Sequence, residues 1–341
     1  MILSINAGST SFKYGLFTNG LKPVDRGKFF DTSIHKEVFV QMLNNIRNIS
    51  DADIRADSTL KIVHRVVHGG PTLRDPIKIN RDVIKEIRRW NKYAPLHNPY
   101  NLHGITLSQA FFKTDRHYAV FDTGFFKHLP DVAKFYPVSM SAAQKKGYMR
   151  LGFHGISHEY ALLSVQKKSR KKVLNLIIIH LGGGCSITAV QKNKPIDTSM
   201  GFTPYEGTMM WSRTGDIDAG PLILSHIKHK EWRKIFIDEA GVKAVSQKSN
   251  FLEVLEGYKK KHKKSQFAVH MFVYRIQKYI GAYYAVLGGH VDALVFTGQI
   301  GAGFALTRTL ILKKMTFLKR TNIIVVNPDE EYMMAHHVHA L

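Results

Sequence analysis

The residues from Asp197 to Asp218, DTSMGFTPYEGTMMWSRTGDID, include arginine, carboxylate and hydroxyl side chains that could take part in catalysis. They combine a Thr-Pro turn, a Ser-Arg-Thr-Gly turn and a Gly-Asp-Ile-Asp end, with hardly any helix or strand periodicity. A long irregular polar run inside a globular domain is usually a functional loop. Arg213 has small neighbours, and a loop guanidinium of this kind can stabilise charge on a transferring phosphoryl group. Taken alone, the pattern also fits a solvated arginine on a surface turn.

Strands followed by small-residue turns are the elements expected to position such chemistry. Met1 to Ile5 and Phe12 to Phe17 are predicted strands, and Gly8 between them would let the backbone approach an anion. The same plan recurs in Val173 to His180, the glycines 182–184, and Ile187 to Gln191. This internal repetition predicts two related lobes, the second beginning near Arg150.

Further segments complete an α/β pattern. Strands are predicted at Leu60 to Val67, Tyr118 to Asp122, and Ala293 to Thr297. Helices are predicted at Arg81 to Tyr93, His103 to Phe112, and Ala268 to Leu287. Asp122 ends one of these strands, and a carboxylate at a strand end in an α/β domain commonly faces a binding crevice.

Length and composition bound the class of protein. A chain of 341 residues can hold two domains, and 44% hydrophobic with 22% charged residues is typical of a soluble globular protein. The beginning, MILSINAGS, predicts no secretory signal. Val173 to Val190 is too polar for a membrane span. The single cysteine, Cys185, excludes an intramolecular disulfide, favours a cytoplasmic location, and fits a buried small side chain better than a nucleophile.

The formal net charge of +23 raises the question of an anionic partner. Lysines and arginines are scattered along the chain, with short runs only at Lys167 to Lys172 and Lys259 to Lys264. Aromatic residues are not interleaved with them in a nucleic-acid-binding pattern. We therefore predict a generally basic, solvated surface and no nucleic-acid function.

Nine stretches, in one order along nearly the whole chain, closely resemble the acetate kinase family. One is the segment Asp197 to Asp218. The others are INAGSTSFK (Ile5 to Lys13), HRVVHGG (His64 to Gly70), APLHNP (Ala94 to Pro99), VFDTGF (Val120 to Phe125), GFHGISH (Gly152 to His158), HLGGGCS (His180 to Ser186), FTGQIG (Phe296 to Gly301) and NPDEE (Asn327 to Glu331). A single Gly-rich match would be weak, whereas nine in order are specific.

The resemblance implies an α/β fold with two RNase H-like lobes of the actin, sugar kinase and Hsp70 type, and an active-site cleft between the lobes. The first lobe would comprise residues 1–149 and a C-terminal helix at about 328–341, and the second lobe residues 150–327. The implied protein is a cytoplasmic homodimer that binds a small carboxylate and a nucleotide, with no membrane partner. It would interconvert acetate plus ATP and acetyl phosphate plus ADP by direct in-line transfer with Mg²⁺, or with Mn²⁺ as an alternative ion.

The resemblance also assigns roles to particular residues. Asp122, His154 and Arg213 would be catalytic, and Arg65 would hold the substrate carboxylate in a bidentate fork. The pocket for the substrate methyl group would comprise Val67, Leu96, Phe153 and Pro204, each of which also fits an ordinary core position. Asn6 and Glu330 would hold the metal, although Glu330 also fits a carboxylate at a helix N-terminus. Nucleotide and phosphate binding would fall to Lys13, His180, Leu181, Gly182, Gly183, Gly184, Gly298, Gln299, Ile300, Gly301 and Ala302.

The nucleotide side departs from the family pattern. Gly183 stands where the family has an asparagine, and Ala302 and Gly303 stand where it has a carboxylate and an amide. An Asp-x-Arg motif aligns loosely with Asn250 to Leu252. The chain is shorter than usual after Arg26, around His226 to Gly241, and between Leu318 and Ile323.

Each lost hydrogen-bonding group would weaken adenosine binding by about 0.5–1.5 kcal/mol. Three outcomes follow: an ATP enzyme with a shallow purine site, an enzyme that uses pyrophosphate, or an enzyme that is losing activity. A propionate or butyrate kinase remains an alternative within the same class. A non-catalytic basic binding protein on a kinase scaffold remains an alternative from another class.

Overall fold

The computed structural model describes residues 1–8, 11–30, 36–47, 58–139, 141, 145–319 and 321–341. Ser9 and Thr10, in the first small-residue turn, lie outside the described residues. Two compact units are present. The first comprises Met1–Lys127, His154–Glu159 and Asp329–Leu341, and the second comprises His128–Phe153 and Tyr160–Pro328. The lobe boundaries at 149/150 and 327/328 stay a prediction.

The strands of the described residues are Ile2–Ala7 (β1), Phe12–Phe17 (β2), Pro23–Phe29 (β3), Lys61–Val66 (β4), Ile77–Lys78 (β5), His117–Phe121 (β6), Leu176–Leu181 (β7), Cys185–Gln191 (β8), Lys194–Thr198 (β9), Ala293–Thr297 (β10) and Asn322–Val325 (β11). The α-helices are Lys36–Arg47 (α1), Arg81–Arg89 (α2), Asn98–Phe111 (α3), Asp131–Lys134 (α4), Gly155–Lys168 (α5), Gly220–Leu224 (α6), His229–Arg233 (α7), Gly241–Ser246 (α8), Phe251–Lys259 (α9), Lys263–Val286 (α10), Gly298–Gly303 (α11), Ala305–Leu312 (α12) and Glu330–Val338 (α13). Short 3₁₀ helices lie at Asn91–Tyr93, Gly124–Phe126 and Thr316–Leu318, and a π-helix at Lys234–Asp238.

The first unit is built on a six-stranded mixed sheet in the order β3-β2-β1-β4-β6-β5. The strands β1, β2 and β3 are antiparallel neighbours, whereas β4 is parallel to β1 and β6 is parallel to β4. Parallel strands buried on both faces read as nearly continuous apolar runs, and β1 is buried along its whole length. The helices α3 and α13 pack on this sheet.

The second unit repeats the plan of the first sheet. Its five strands have the order β11-β10-β7-β8-β9, with β7, β8 and β9 antiparallel and β10 and β11 parallel to β7. Read from the other edge, β9-β8-β7-β10-β11 has the connectivity of β3-β2-β1-β4-β6. The predicted internal repetition is therefore confirmed at the level of sheet topology. The long helix α10 packs on β7 and β8.

Two predicted helices differ from the observed ones for identifiable reasons. The helix predicted to reach Tyr93 ends at Arg89, and a 3₁₀ turn continues from Asn91, with the Trp90 N–H donating to the Ile87 carbonyl. The helix predicted to begin at His103 begins at Asn98. Its first turns carry Asn98 and Asn101, whose side chains are buried and form hydrogen bonds with backbone groups. Because these buried positions are polar, the apolar periodicity of the helix is not visible in its first turns.

The loop predicted from Asp197 onward is confirmed. Strand β9 ends at Thr198, and the chain then follows turns and bends until α6 begins at Gly220. Within this loop Gly207 and Gly215 both have positive φ angles, of 108° and 73°. A Cβ atom at Gly215 would lie 2.3 Å from the Gly207 carbonyl oxygen, so the close approach of these two segments requires glycine.

A stacked histidine pair in the first unit should make stability depend on pH. His64 and His117 have ring centroids 5.5 Å apart, and their Nε2 and Nδ1 atoms are 3.2 Å apart. Burial lowers the pKa of His117 to about 4, and burial together with the His117 charge lowers the pKa of His64. Between about pH 6.5 and 4 the unfolded chain binds protons that the folded pair does not, so the free energy of unfolding should fall as the pH falls through this window.

Urea denaturation at several values of pH checks this expectation. The variant His117→Gln should show a shallower loss of stability between pH 6.5 and 4 than the wild type. His128→Gln is the matched control, because His128 is exposed and its replacement should leave the slope unchanged. Equal slopes in all three proteins would contradict the assignment to the stacked pair.

Candidate active site

The first group of predicted site residues lies at one edge of the sheet in the first unit. Asn6 and Lys13 are register partners on β1 and β2. Arg65 lies near the end of β4, and Asp122 directly follows β6. Because β1, β4 and β6 are parallel, their carboxyl ends share an edge, which is where ligands bind in open α/β sheets.

Arg65 and Asp122 form a bidentate ion pair. Arg65 Nε donates to Asp122 Oδ1 at 2.8 Å, and Arg65 Nη2 donates to Asp122 Oδ2 at 2.6 Å. Only 1% of the Asp122 side chain is exposed, so the pair is held away from bulk water. Burial raises the pKa of Asp122, against the charge and hydrogen bonds of Arg65. Burial alone would lower the pKa of Arg65, but the charges of Asp122 and Glu330 outweigh it and raise that pKa.

Arg65 was predicted to bind the substrate carboxylate with two hydrogen bonds, but some of its donors are already used by protein groups. Arg65 Nη1 also donates to Asn6 Oδ1 at 3.2 Å. These three contacts use three of the five N–H donors of a guanidinium. Two donors, one on Nη1 and one on Nη2, are left for a carboxylate that approaches the end of the side chain.

Asn6 joins this pair to two adjacent carboxylates. Its Nδ2 donates to Glu330 Oε2 at 3.3 Å and to Glu331 Oε1 at 3.2 Å, while Lys13 Nζ lies 3.7 Å from Glu330 Oε2. Burial and the Glu330 charge raise the pKa of Glu331, and Lys13 opposes this shift. Glu331 was not among the predicted site residues, although its place beside Glu330 in the sequence was a signal for it.

The alternative position of Glu330 at a helix N-terminus is also observed. It is the first residue of α13, and Asp329 caps that helix by accepting a hydrogen bond from the Tyr332 N–H. Both acidic residues lie in the first turn, where the helix dipole favours negative charge. One residue thus serves the helix and the charged cluster together.

His154 lies next to Asp122 through a strained backbone position. Its φ angle is 59°, which is uncommon for a residue with a side chain. The Asp122 carboxylate accepts a hydrogen bond from the His154 backbone. The Gly155 N–H donates to the Asp122 carbonyl at 2.8 Å, and a Cβ atom at Gly155 would lie 2.2 Å from that oxygen.

Of the four predicted pocket residues, Val67 and Leu96 belong to the first unit. Val67 is buried, and its N–H donates to Asn101 Oδ1 at 3.1 Å, while Leu96 is half-buried in a turn before α3. The Asn101 Nδ2 atom donates in turn to the Ala7 carbonyl at 2.7 Å. Asn98 and Asn101 thus hold the backbone after β4, a role that the sequence prediction missed. Phe153 and Pro204, both buried, belong to the second unit.

Arg213 is buried in the second unit, not solvated on a surface turn. Its residue exposure is 8%, and its Nη1 donates to the Pro204 carbonyl at 3.0 Å. The guanidinium carbon also lies 5.6 Å from the centroid of the Tyr205 ring. Burial lowers the pKa of Arg213, against the neighbouring Tyr205 and Cys185. A cation held in this way is pre-organised to meet an anion.

Two glycine turns lie close together in the second unit, and one of them contacts the loop that carries Arg213. His180 and Leu181 end β7, the glycines 182–184 follow, and the Trp211 N–H donates to the Gly183 carbonyl at 3.3 Å. Gly298 begins α11 with a φ angle of 78°, and a Cβ atom there would lie 2.4 Å from the Leu181 carbonyl. The structure therefore brings together these predicted nucleotide residues: His180, Leu181, Gly182, Gly183, Gly184, Gly298, Gln299, Ile300, Gly301 and Ala302.

The positions that depart from the family pattern have room for larger residues. A Cβ atom at Gly183 or at Gly303 would meet no atom within 4 Å. Asn250 is the N-cap of α9 and accepts from the Glu253 N–H at 3.0 Å, while Leu252 is 53% exposed. The backbone at Gly183 and Gly303 therefore leaves room for the first atom of a side chain.

Cys185 is a buried thiol beside these turns. It is 0% exposed and its Sγ lies 3.6 Å from the Gly182 carbonyl. Burial raises its pKa to about 12, which keeps it protonated at neutral pH. The prediction of a small buried side chain is confirmed.

The comparisons with known proteins decide the family. The model of the acetokinase family matches residues 23–323. The chain is 35% identical to an acetate kinase of Sulfurovum sp. (strain NBC37-1), over 97% of this chain and 96% of that protein. It is 37% identical to an acetate kinase of Brachyspira hyodysenteriae, over 92% of this chain and 86% of that protein. The chain belongs to the acetokinase family.

Solved structures agree with this assignment. A propionate kinase from Francisella tularensis has a TM-score of 0.88 at 28% identity, over 100% of this chain and 99% of that chain. The acetate kinase of Porphyromonas gingivalis has a TM-score of 0.84 at 27% identity, over 99% and 98%. A putative N-acetylmannosamine kinase from Listeria monocytogenes, at 11% identity and a TM-score of 0.50, shares only the fold.

Membership of the acetokinase family confirms the predicted fold class and the predicted reaction class. The protein is an α/β kinase, a phosphotransferase that acts on a carboxylate. None of the described helices combines the length and the apolar character needed to cross a membrane. The roles of the individual site residues stay predictions.

Proposed function

We propose that this acetokinase transfers a phosphoryl group from ATP to acetate, and in reverse from acetyl phosphate to ADP. The observation that carries the proposal is the charged network in the first unit, in which Arg65, Asp122, Asn6 and Glu330 are joined at the carboxyl ends of parallel strands. Such a network is expensive to bury and suits a site that handles small anions.

The acid is bound by Arg65. Its two remaining donors hold the acetate oxygens, and Asp122 keeps the guanidinium in place through the bidentate pair. Asp122 has no proton to remove, because acetate is already ionised at neutral pH. Val67 and Leu96, with Phe153 and Pro204, supply apolar surface for the methyl group.

In the transfer step an acetate oxygen forms a bond to the γ-phosphorus while the bond from that phosphorus to the β–γ bridging oxygen breaks. The electron pair of the broken bond leaves with ADP, and no proton is transferred. Arg213 and His154 neutralise the charge on the phosphoryl oxygens during the step. Lys13 and the glycine turns bind the remaining phosphates.

The residues in the first unit fit a Mg²⁺ site of the kind that phosphates complete. In the described chain no three His, Cys, Asp or Glu side chains are grouped as an all-protein metal centre. Mg²⁺ at kinase sites usually takes one or two carboxylates and completes its shell with waters and phosphate. Glu330 would hold the ion, with Asn6 and Glu331 beside it, and the ion would neutralise phosphate charge. Burial and the charge of Glu330 raise the pKa of Glu331, and a cation beside the two carboxylates would offset their mutual repulsion.

Two further properties belong to the proposal. A homodimer would cover the large apolar side chains Leu222, Ile223 and Leu224, which are 41%, 77% and 82% exposed in the second unit. A cytoplasmic location fits the single, buried cysteine. Light scattering of the purified protein would reveal a monomer if the first of these is wrong.

A side-by-side assay tests the proposed function. Acetyl phosphate formation is measured with ATP and with pyrophosphate, and acetate is compared with propionate and butyrate. We expect ATP and acetate to give the highest kcat/KM. One methylene is worth about 1–3 kcal/mol, so propionate should be used less efficiently, though at a measurable rate. Activity with pyrophosphate alone would change the donor, and no activity with any donor would favour a binding protein on a kinase scaffold.

Selectivity among purines should be poor. The triphosphate meets Lys13 and the glycine turns, whereas polar groups for the base are missing at Gly183, Ala302 and Gly303. We expect ATP, GTP and ITP to support kcat/KM values within about tenfold of one another, which corresponds to about 1.4 kcal/mol.

Nucleotide titrations check this expectation. The double variant Gly183→Asn with Ala302→Glu should bind ATP more tightly than the wild type, because it restores two polar groups for the base. The side chain at position 183 can be accommodated, since a Cβ atom there meets no other atom within 4 Å. An ATP preference above about a hundredfold, some 2.7 kcal/mol, would show that other residues recognise the purine.

A further inference from the structure

The loop that carries Pro204 is held by a polar network at its base. Glu206 accepts from Arg150 Nη2 at 2.8 Å through Oε1, and from the Tyr136 hydroxyl at 2.6 Å through Oε2. The Tyr136 hydroxyl in turn accepts from the Phe202 N–H at 2.8 Å. Both oxygens of the carboxylate are therefore used inside the second unit.

Arg150 extends the network to the start of the loop. Its Nη1 donates to the Thr198 carbonyl at 2.9 Å, and its Nε donates to the Ala133 carbonyl at 3.2 Å. Burial alone would lower the pKa of Arg150, but the charge of Glu206 acts with those of Tyr136, Tyr283 and Asp197 to raise it. One guanidinium thus ties the end of β9 to the carboxylate that lies two residues beyond Pro204.

The backbone of the loop fits closely against these side chains. The Gly201 carbonyl accepts from the N–H groups of Leu151 and Gly152, at 3.0 and 3.2 Å. A Cβ atom at Gly201 would lie 1.6 Å from Glu206 Oε2 and 2.1 Å from the Tyr136 hydroxyl. Only glycine at this position lets the carboxylate and the hydroxyl meet.

The network reaches Arg213 through Pro204. The Pro204 carbonyl accepts from Arg213 Nη1 at 3.0 Å, and the Arg213 guanidinium carbon lies over the ring of Tyr205, which directly precedes Glu206. We propose that Glu206, Tyr136 and Arg150 are positioning residues that set the place of the Arg213 guanidinium for phosphoryl transfer. None of the three needs to touch the substrate.

The inference rests on the proposed role of Arg213 and explains how the position of its guanidinium is maintained. A displacement of about 1 Å in a catalytic group can cost about a hundredfold in rate. Loss of a group that orients a ligand to a metal typically costs about 10–100-fold, and a similar range is reasonable for one that orients a catalytic cation.

A double-mutant cycle tests the proposal. Tyr136→Phe removes only the hydroxyl and keeps the ring, so the fold should be retained. It should lower kcat at least about tenfold in the wild-type background and less than about twofold in an Arg213→Ala background, because the group that it positions is then absent. The kcat of Glu206→Gln, which keeps one acceptor oxygen, should lie between that of the wild type and that of Tyr136→Phe.

Tyr14→Phe is the matched control. The Tyr14 hydroxyl also donates to a carboxylate, Asp25 Oδ2, at 2.5 Å, but in the first unit. Its removal should change thermal stability as much as Tyr136→Phe does and should leave kcat unchanged. Thermal unfolding of every variant is measured beside its kinetics, so that a general loss of structure is recognised.

The outcomes distinguish the positioning network from the catalytic role of Arg213. An equal fall of kcat in both backgrounds, or no fall in either, would overturn the positioning network while leaving Arg213 as a catalytic residue. If Arg213→Ala alone retains nearly the full rate, the role proposed for Arg213 fails and the network fails with it. A fall of kcat in Tyr14→Phe as large as that in Tyr136→Phe would show that the loss is general and would also overturn the proposal.

Discussion

Replacing Arg213 with alanine should lower kcat about 10²–10³-fold, with a much smaller change in the KM for acetate. The buried guanidinium should stabilise the transition state more than it stabilises the bound acid, because the charge on the phosphoryl oxygens changes during transfer. The loss of one pre-organised electrostatic group is typically of this size. Steady-state kinetics with saturating nucleotide measure it.

Arg170→Ala is the matched control for this prediction. It removes the same charge from an exposed residue of the same unit and should leave both constants unchanged. Arg213→Lys should recover only part of the rate, because an ammonium group lacks the planar fork of a guanidinium. A variant Arg213→Ala with nearly wild-type turnover would remove this residue from the mechanism.

Replacing Asp122 with alanine should lower kcat by about 10²–10³-fold and should also destabilise the fold. The reason for the second effect is the buried ion pair, since the variant leaves the Arg65 guanidinium without its bidentate partner. Removing one partner of a buried pair typically costs about 3–5 kcal/mol. Urea denaturation and steady-state kinetics on the same preparations measure both effects.

Two variants make this second experiment interpretable. Asp122→Asn keeps the shape and should retain more stability than Asp122→Ala, while its kcat stays low because the negative charge is gone. Asp115→Ala breaks an exposed ion pair with Lys78 and should leave both rate and stability unchanged. Full activity in Asp122→Asn would show that the carboxylate charge is not needed at this position.

Local sequence patterns were enough to predict the central strands and the long loop of this acetokinase. Strand β10 has the predicted bounds, and β2 does as well, because apolar runs between turn residues carry a strong signal. The edge strands β3, β5, β9 and β11 were not predicted. They are partly exposed or short, so their residues do not form a buried apolar run.

The site shows the same division between local and distant information. The motifs indicate Asn6, Arg65, Asp122 and Glu330 as site residues. No motif indicates that Arg65 binds Asp122 with two hydrogen bonds, or that Asn6 donates a hydrogen bond to Glu331. The first contact joins the neighbouring strands β4 and β6, and the second joins the two ends of the chain, so both depend on long-range structure. Likewise, the sequence alone allows Arg213 to be a surface arginine, whereas the structure buries it and joins its Nη1 to the Pro204 carbonyl.

The positive φ angle of His154 implies a conflict between durability and activity at one residue. A side chain in the left-handed region costs on the order of 1 kcal/mol or more, and glycine would avoid that cost. Selection for heat resistance alone should therefore favour glycine or asparagine at position 154. If the imidazole acts on the phosphoryl group, the more heat-resistant proteins recovered in this way will be poorer kinases, because the stabilising substitution removes that imidazole.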